Sequence, residues 1–188
     1  MSKFLFIFLS LFLFSCDNKE DIRSISDSSE ERAWLSWDEC GHKIGDNPCD
    51  FSLMDQNGRL VDLYDHYGKV IVIDLSTMWC GICNNIADKG DEFSLRYGDE
   101  NIIWITILIE DYYGSEPDIN MLREWQSKFG IQSPILAGSR DMIDPTAENG
   151  YPVTGWPTMV VIDRDMTIKQ GLSGWHEGMI TQWVEELL

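Results

Sequence analysis

The chain has 188 residues, of which 44% are hydrophobic and 12% aromatic, which is enough for one globular domain and few for two. Its 32 Asp and Glu residues against 14 Lys and Arg give a formal net charge of -18. This sign excludes a protein that grips a phosphate backbone, so no nucleic acid is expected as a partner. Only 15 residues are Gly and no heptad pattern persists, which excludes collagen-like and coiled-coil architectures.

The first residues have the pattern of an export signal. Residues 4–14 are apolar except for Ser10, the layout of a signal peptide that is too short to span a bilayer as a mature helix. The sequence Leu-Phe-Ser-Cys that ends at Cys16 resembles the lipobox of bacterial lipoproteins. This resemblance implies that residues 1–15 are removed and that Cys16 is lipidated. An ordinary cleaved signal peptide and an uncleaved anchor are the alternatives.

The segment after the signal is expected to be a flexible tether. Residues 17–33 are rich in acids, bases and serines and poor in apolar side chains, so burial cannot offset the entropy of ordering them. We therefore divide the chain into a signal peptide, an acylated cysteine with its tether over residues 16–33, and a folded domain over residues 34–188. Such a protein is expected in the bacterial cell envelope, lipid-anchored to a membrane and facing the periplasm or exterior, where disulfides persist.

The domain is predicted to open with a β-hairpin followed by buried strands. Residues 51–55 and 59–63 alternate between apolar and polar side chains around Asn57-Gly58, which is a strong hairpin signal. Residues 69–75 and 101–109 are apolar on both alternate sets, as in parallel strands of a sheet that is covered on both faces. They are the expected centre of the sheet.

Helices are predicted between and after these strands. Between them, Ile86, Phe93 and Tyr97 define the apolar face of one helix, which gives a βαβ crossover. A second helix is expected from about Pro117 to Gly130.

Two further strands and a last helix are predicted near the end of the chain. The strands cover residues 158–163 and 166–170 and are joined at Arg164-Asp165. The apolar face of the helix consists of Met179, Ile180, Trp183, Val184 and Leu187. The predicted fold class is therefore α/β, with a mixed central β-sheet flanked by helices and an N-terminal β-hairpin.

Cys80 and Cys83 form a C-x-x-C motif directly after a buried strand and at the start of a helix, the context of a redox pair. Amide groups and the dipole at a helix N-terminus stabilise a thiolate, so Cys80 is the expected nucleophile. Cys83, one turn further on, is expected to resolve the mixed disulfide. A static disulfide and half of a zinc site are the alternatives, although zinc normally needs a second pair at suitable spacing.

The segments VIDLSTMWCGIC (72–83) and VTGWPT (153–158) resemble the two signature stretches of the thioredoxin superfamily, and the TlpA-like thiol-disulfide oxidoreductases within it. Residues 44–53 are similar to the entry of redoxin domains. The resemblance, from about residue 44 to the end, implies a thioredoxin-like fold and an enzyme that acts on protein thiols and disulfides, without a cofactor. It also implies a membrane-bound electron donor as a further partner.

The resemblance assigns roles to residues around the motif. Trp79 would flank Cys80, and Pro157 would be a cis-proline opposite it that, with Trp156, frames an extended substrate segment. Asp74 falls where thioredoxins keep a buried acid that handles the proton of the second cysteine. The pattern agrees in part, because Asp74 shares a strand face with apolar residues and burial would raise its pKa. An exposed Asp at the strand end is the alternative.

Two departures from the family bear on the direction of electron flow and on the subfamily. Gly81 and Ile82 stand between the cysteines, where reducing thioredoxins have Gly-Pro. Thiolate stability at Cys80 sets the reduction potential, so the direction is open, although we expect reduction of protein disulfides. Many TlpA-like proteins have Glu and Pro where this chain has Ile86 and Asp88.

If Cys16 is lipidated and Cys80 pairs with Cys83, Cys40 is left to pair with Cys49. A structural disulfide at the domain entrance is the main interpretation, and a second redox relay is the alternative. A thiolate and imidazole set that includes His42 could bind copper or zinc, but we expect no metal.

Other residues are candidates for a substrate surface. Glu110 and Asp111 follow a central strand, where ligands of open α/β sheets tend to bind. Trp156, Trp175 and Tyr151 are candidates to line a peptide-binding surface, with core packing as the alternative.

Three other functions are weighed against the oxidoreductase. A peroxidase of the peroxiredoxin type would use Thr77, three residues before Cys80, but Ile73 stands where that family has proline. A non-catalytic metal carrier or binding lipoprotein and a redox-inert domain are the others.

Overall fold

The computed structural model describes residues 35–147 and 150–188. The expected signal peptide, the lipidated Cys16 and the tether all lie outside the described residues. Trp37–Leu188 form one compact unit. In this described part of the chain, none of the helices has the length and hydrophobicity needed to cross a bilayer.

A β-hairpin opens the fold, as the Asn-Gly sequence predicts. Strand β1 (Ser52–Met54) pairs antiparallel with β2 (Leu60–Asp62), and Gly58 between them has a positive φ of 80°, which L side chains rarely adopt. The buried Asp55 accepts hydrogen bonds from the backbone N–H and the guanidinium of Arg59. Burial opposes ionisation, but these hydrogen bonds hold the pKa of Asp55 below its usual value. The charged carboxylate therefore fixes the turn.

A five-stranded mixed sheet forms the centre of the domain. Its strands are β3 (Val70–Thr77), β4 (Ile102–Glu110), β5 (Ile135–Ala137), β6 (Thr158–Ile162) and β7 (Ile168–Ser173). Their spatial order is β5-β4-β3-β6-β7, and β4 runs parallel to β3 and β5, whereas β6 runs antiparallel to β3 and β7. Strand β3 is buried along its whole length, as a central strand covered on both faces must be. The predicted mixed sheet is confirmed.

Four α-helices cover the sheet in the described residues. They are α1 (Gly81–Asn85), α2 (Lys89–Tyr97), α3 (Ile119–Phe129) and α4 (Glu177–Leu187), and 3-10 turns cover Leu63–His66 and Arg140–Ile143. Helix α3 begins where its sequence predicts, because the Asp118 carboxylate accepts hydrogen bonds from the N–H groups of Asn120 and Met121. It ends at Gly130, which has a left-handed φ of 71°.

The prediction of a single helix between β3 and β4 is wrong in one respect. The segment folds as two short helices, α1 and α2. The Ile86 N–H bonds the carbonyl of Cys83, and the Lys89 N–H bonds that of Ile86. These tight turns interrupt the α-helical hydrogen-bond ladder. Ile86 and Phe93 are nevertheless both buried in one core cluster, so the apolar spacing predicted the burial but not the break.

Two strand predictions need correction. Strand β5 was not expected, because three residues are too short to reveal a period. Strand β7 was expected at residues 166–170 but begins two residues later. Met166 lies in the preceding turn with a positive φ of 57°, and the Asp163 carboxylate organises this turn by accepting the N–H of Thr167.

Two apolar clusters hold the helices against the sheet, and both use the same alternating set of residues of β4, which lies on one face. Helices α2 and α4 pack on one face through buried Val70, Val72, Phe93, Trp104, Ile180 and Val184. Helix α3 packs against a second cluster, which includes Leu108, Leu122, Trp125 and Ile135. Of the face predicted for α4, Trp183 and Leu187 are partly buried, but Met179 is 37% exposed. The buried stripe of α4 is therefore narrower than predicted.

Candidate active site

The two cysteines of the C-x-x-C motif lie where β3 ends and α1 begins. Cys80 is the N-cap of α1, and its Sγ accepts a hydrogen bond from the Cys83 N–H at 3.2 Å. The two side chains are joined in a disulfide, and both residues are buried. Once the pair is reduced, the same N–H group can stabilise a thiolate on Cys80. Cys83 is 1% exposed, so it is poorly placed to meet a substrate first.

Asp74 is buried in the sheet below this end of β3. It is 1% exposed and accepts hydrogen bonds from Ser76 Oγ at 2.5 Å and Thr106 Oγ1 at 3.4 Å. Burial raises the pKa of Asp74 to about 7, although the two hydroxyl hydrogen bonds oppose the shift. The exposed strand end considered as an alternative is excluded. A carboxyl group with this pKa can both accept and return a proton near neutral pH.

Trp79, Trp156 and Pro157 come together at the rim. Trp79 is half exposed, and its ring meets that of Trp156 edge to face, with centroids 6.4 Å apart. The Trp156–Pro157 peptide bond is cis. The Pro157 carbonyl accepts the Gly174 N–H at 2.6 Å, which joins this loop to the end of β7. Of the three residues assigned to substrate binding, Trp79 and Trp156 are therefore in ring contact, and Pro157 follows Trp156 in the chain.

A buried carboxylate holds the Trp79 ring, and sequence reasoning missed this contact. Glu110, the last residue of β4, accepts a hydrogen bond from Trp79 Nε1 at 2.7 Å and forms an ion pair with Arg140. Arg140 gave no signal in the sequence, because it pairs with a residue 30 positions earlier. The neighbouring Asp111 is buried, and its carboxylate accepts the N–H groups of Tyr113 and Ser115 and organises the loop.

Asn84 was also missed, and it fixes the backbone that carries the nucleophile. Its Nδ2 donates to the carbonyl oxygens of Cys80 at 2.6 Å and Met78 at 3.1 Å. Its Oδ1 accepts from Lys128 Nζ at 3.1 Å. Lys128 also donates to the Tyr112 hydroxyl. Helix α3 and the loop after β4 are thereby joined to α1.

Two aromatic residues considered for a substrate surface lie elsewhere. Tyr151 is 2% exposed, and Trp175 packs edge to face on Trp104, with ring centroids 6.1 Å apart. Both therefore serve packing, the alternative weighed for them. Of the three aromatic candidates, Trp156 is the one that contacts Trp79.

The loop that the second cysteine pair closes contacts the sheet near the end opposite to the C-x-x-C motif. Cys40 and Cys49 are joined in a disulfide, and the loop that they close exchanges backbone hydrogen bonds with Ile168 through Gly45 and Asp46. Through the register of β6, Ile168 is level with the start of β3. The end of β3 is about 20 Å further along the strand. The contact between this loop and Ile168 is therefore at the end of the sheet opposite to the C-x-x-C motif.

Neither disulfide sulfur of this pair is available as a thiolate for a metal. Within residues 35–147 and 150–188, no three His, Cys, Asp or Glu side chains are grouped closely enough to hold a metal ion. The set considered around Cys40, His42 and Cys49 is therefore not assembled as a ligand cluster.

The mixed sheet, with a C-x-x-C pair at the end of its central strand and a cis-proline loop beside it, defines the thiol-disulfide oxidoreductases of the thioredoxin superfamily. The chain belongs to the AhpC/TSA family, which matches residues 44–170. The expected enzyme class is confirmed. The roles of individual site residues stay predictions.

The relatives of this chain include a thiol-disulfide oxidoreductase and a peroxidase. The thiol-disulfide oxidoreductase ResA of Geobacillus thermodenitrificans is 25% identical over 131 residues, 70% of each chain. Glutathione peroxidase 1 of Helianthus annuus is 30% identical over 106 residues, 55% of this chain and 61% of that protein.

Two crystal structures show the same fold. The thiol:disulfide interchange protein DsbE of Chlorobium tepidum has a TM-score of 0.62 at 21% identity, over 79% of this chain and 100% of that chain. The exposed lipoprotein thioredoxin Etrx1 of Streptococcus pneumoniae has a TM-score of 0.59 at 23% identity, over 74% of this chain and 100% of that chain. The predicted thioredoxin-like fold is confirmed.

Proposed function

We propose that this protein is a membrane-tethered, extracytoplasmic enzyme that reduces protein disulfides with Cys80 and Cys83. The observation that carries the proposal is the position of Cys80 at the N-cap of α1, where the Cys83 N–H donates to its sulfur. The names of ResA and DsbE support thiol-disulfide exchange. The peroxidase alternative is not favoured, because the ResA match covers 70% of the chain and the glutathione peroxidase match 55%.

The first half of the reaction is carried out by Cys80. In the reduced enzyme its thiolate attacks one sulfur of a substrate disulfide. The substrate S–S bond breaks, an S–S bond to Cys80 forms, and the other substrate sulfur leaves as a thiolate that takes a proton from water. Trp79, Trp156 and Pro157 frame the substrate segment during this attack.

The second half needs a base for Cys83. Cys83 and Asp74 are each 1% exposed, so bulk water is a poor proton acceptor there, and the Asp74 carboxylate takes the thiol proton. The Cys83 thiolate then attacks the Cys80 sulfur, and the second substrate sulfur leaves and is protonated. Two electrons pass to the substrate, and a membrane-bound donor must return two electrons and two protons.

The tether in the proposal rests on the lipobox-like sequence that ends at Cys16. The mass of the protein extracted from membranes is expected to correspond to residues 16–188 plus lipid. An unmodified mature chain would contradict the anchor and leave the redox chemistry untouched.

A trapping experiment tests the two cysteine roles. The Cys83→Ser variant is expected to accumulate mixed disulfides with substrate proteins, because Cys80 attacks and nothing resolves the product. The Cys80→Ser variant is the matched control and should accumulate none. The reverse trapping pattern would exchange the two roles.

The reduction potential of the Cys80/Cys83 pair tests the direction of electron flow. Equilibration with thiol buffers, followed by mass spectrometry, should give a value near or below about -270 mV, which is typical of a reductase. A value near about -120 mV would make the protein a disulfide donor. The absence of a reversible titration would contradict the proposed function altogether.

A further inference from the structure

An ion pair connects the rim of the redox site to a part of the fold that the proposed chemistry does not use. The Glu110 carboxylate is buried, and one of its oxygens accepts the Trp79 Nε1–H at 2.7 Å. The other oxygen pairs with Arg140, whose side chain is 64% exposed. Neither Glu110 nor Arg140 transfers electrons or protons in the reaction described above. Their arrangement therefore needs another explanation.

A β-bulge brings Glu110 to the loop that carries Trp79. The pairing of β3 with β4 shifts between Ser76 and Thr77, so that Thr77 stands opposite Glu110 and Ile109 is the extra residue. Bulges of this kind redirect a side chain at the end of a ladder. The Glu110 carbonyl also accepts the Met78 N–H at 2.9 Å. Glu110 thus holds the two residues before Cys80, one through its backbone and one through its side chain.

We infer that Glu110 and Arg140 are positioning residues that fix the Trp79 indole beside Cys80 and thereby favour substrates with an apolar side chain next to the reacting cysteine. A hydrogen bond from an indole N–H to a carboxylate is stronger than one between neutral groups. The ion pair with Arg140 holds the buried carboxylate group in place. Trp79 and Ile82 are each about half exposed, so a fixed indole offers an apolar surface beside the disulfide. This inference rests on the proposed function.

Kinetics with two disulfides tests the inference in the full chain. In insulin, amino-acid side chains flank each disulfide and can contact Trp79 while Cys80 attacks. Hydroxyethyl disulfide is a small molecule with no such side chains. For Glu110→Ala we expect kcat/KM with insulin to fall about tenfold, mainly through KM, because a charge-assisted hydrogen bond is lost. With the small disulfide the change should be less than about twofold.

Further variants separate positioning from general damage. In a Trp79→Phe background, Glu110→Ala should cause no further loss with insulin, because the indole donor is already absent. Arg140→Gln should lower the insulin rate in the same direction by about threefold. The matched control is Arg59→Gln, because Arg59 is an exposed arginine that pairs with the buried Asp55. This control should leave the preference between the two substrates unchanged.

The indole N–H resonance of Trp79 gives a readout that does not depend on activity. It is identified by its disappearance from the NMR spectrum of Trp79→Phe. In Glu110→Gln, which keeps the side-chain volume and serves if Glu110→Ala does not fold, the resonance should move upfield as the carboxylate bond is lost. An unchanged resonance would overturn the inference.

The kinetic results can overturn the inference independently of the proposed function. Equal losses with both substrates, or a full further loss in the Trp79→Phe background, would make Glu110 merely structural. If the wild-type protein reduces neither substrate, the proposed function fails, and the resonance still reports whether Glu110 positions Trp79.

Discussion

At the scale of single residues, Asp74 couples the chemistry of the site to the stability of the chain. Burial raises its pKa to about 7, from an ordinary value of 3.8. Between these values the folded chain binds more protons than the unfolded chain, so the free energy of unfolding falls as pH rises. The stabilisation is fully present below the unfolded pKa and is lost as pH rises through the folded pKa.

Asp74→Asn should remove this dependence. We expect Asp74 to contribute a decline of up to ~1.4 kcal/mol per pH unit between its two pKa values, because one pKa unit corresponds to this free energy. Relative to wild type, Asp74→Asn should therefore have a higher free energy of unfolding at high pH than at low pH. Urea denaturation at about pH 5 and about pH 7 measures it. A constant difference would contradict the raised pKa.

At the scale of secondary-structure elements, Gly90 determines how closely α2 approaches the sheet. A Cβ atom at this position would lie 2.7 Å from Ser133 Oγ and 2.8 Å from Trp104 Cδ1. Real Cβ atoms do not come this close, so a larger residue must displace α2 or the buried Trp104. The glycine is therefore required by close packing and not by its backbone angles.

We expect Gly90→Ala to lower the free energy of unfolding by about 1–3 kcal/mol, the usual cost of overpacking a core. The matched control is Gly178→Ala in α4, where the nearest atom to the new Cβ would be 3.7 Å away. This control should be neutral or stabilising by up to about 1 kcal/mol, because Ala has the higher helix propensity. Chemical denaturation of the two variants measures both values, and equal losses would contradict the packing argument.

The predictable elements were those with an apolar pattern over their whole length. Residues 69–75 and 101–109 gave the two central strands, and the C-x-x-C motif gave the position of the cysteines. Strand β5 has only three residues, at the edge of the sheet, so no local period revealed it. The break before α2 was hidden because Ile86 continues the apolar spacing of the helix.

The candidate site likewise contains residues that the sequence predicted and residues that it did not. The C-x-x-C motif indicated Cys80, and the resemblance to thioredoxins indicated Asp74. Glu110 reaches Trp79 through a bulge, which shifts the pairing register and cannot be inferred from alternation. Arg140 reaches Glu110 from a 3-10 turn after another strand. Contacts of this kind join residues that are far apart in the sequence, so they leave no local pattern from which they could be predicted.

At the scale of the whole molecule, the two disulfides belong to different parts of the fold, the loop before β1 and the start of α1. The Cys40–Cys49 bond closes a loop whose Gly45 and Asp46 exchange hydrogen bonds with Ile168. In the chain-entropy model, so short a loop stabilises the fold by about 2–3 kcal/mol. The contact of this loop with Ile168 lies about 20 Å along the sheet from the end of β3.

Replacing both Cys40 and Cys49 with Ser should therefore lower the free energy of unfolding by about 2–3 kcal/mol. We expect the rate of disulfide reduction at about 25 °C to stay within about twofold of the wild-type rate, as long as the variant is folded. Urea denaturation and an insulin reduction assay measure the two quantities. A large loss of activity with an unchanged fold would favour the relay alternative for this pair.

The loop between Cys40 and Cys49 can dock only late while the chain folds during synthesis or translocation. Asn47 Nδ2 donates to the Met166 carbonyl across 119 positions, and the partner of Gly45 and Asp46 is likewise near the end of the chain. Contacts this far apart cannot form until almost all of the domain has emerged. The loop between Cys40 and Cys49 is therefore synthesised early but packs against Met166 and Ile168 late. Until then its two thiols are accessible to any oxidant or isomerase that the emerging chain meets.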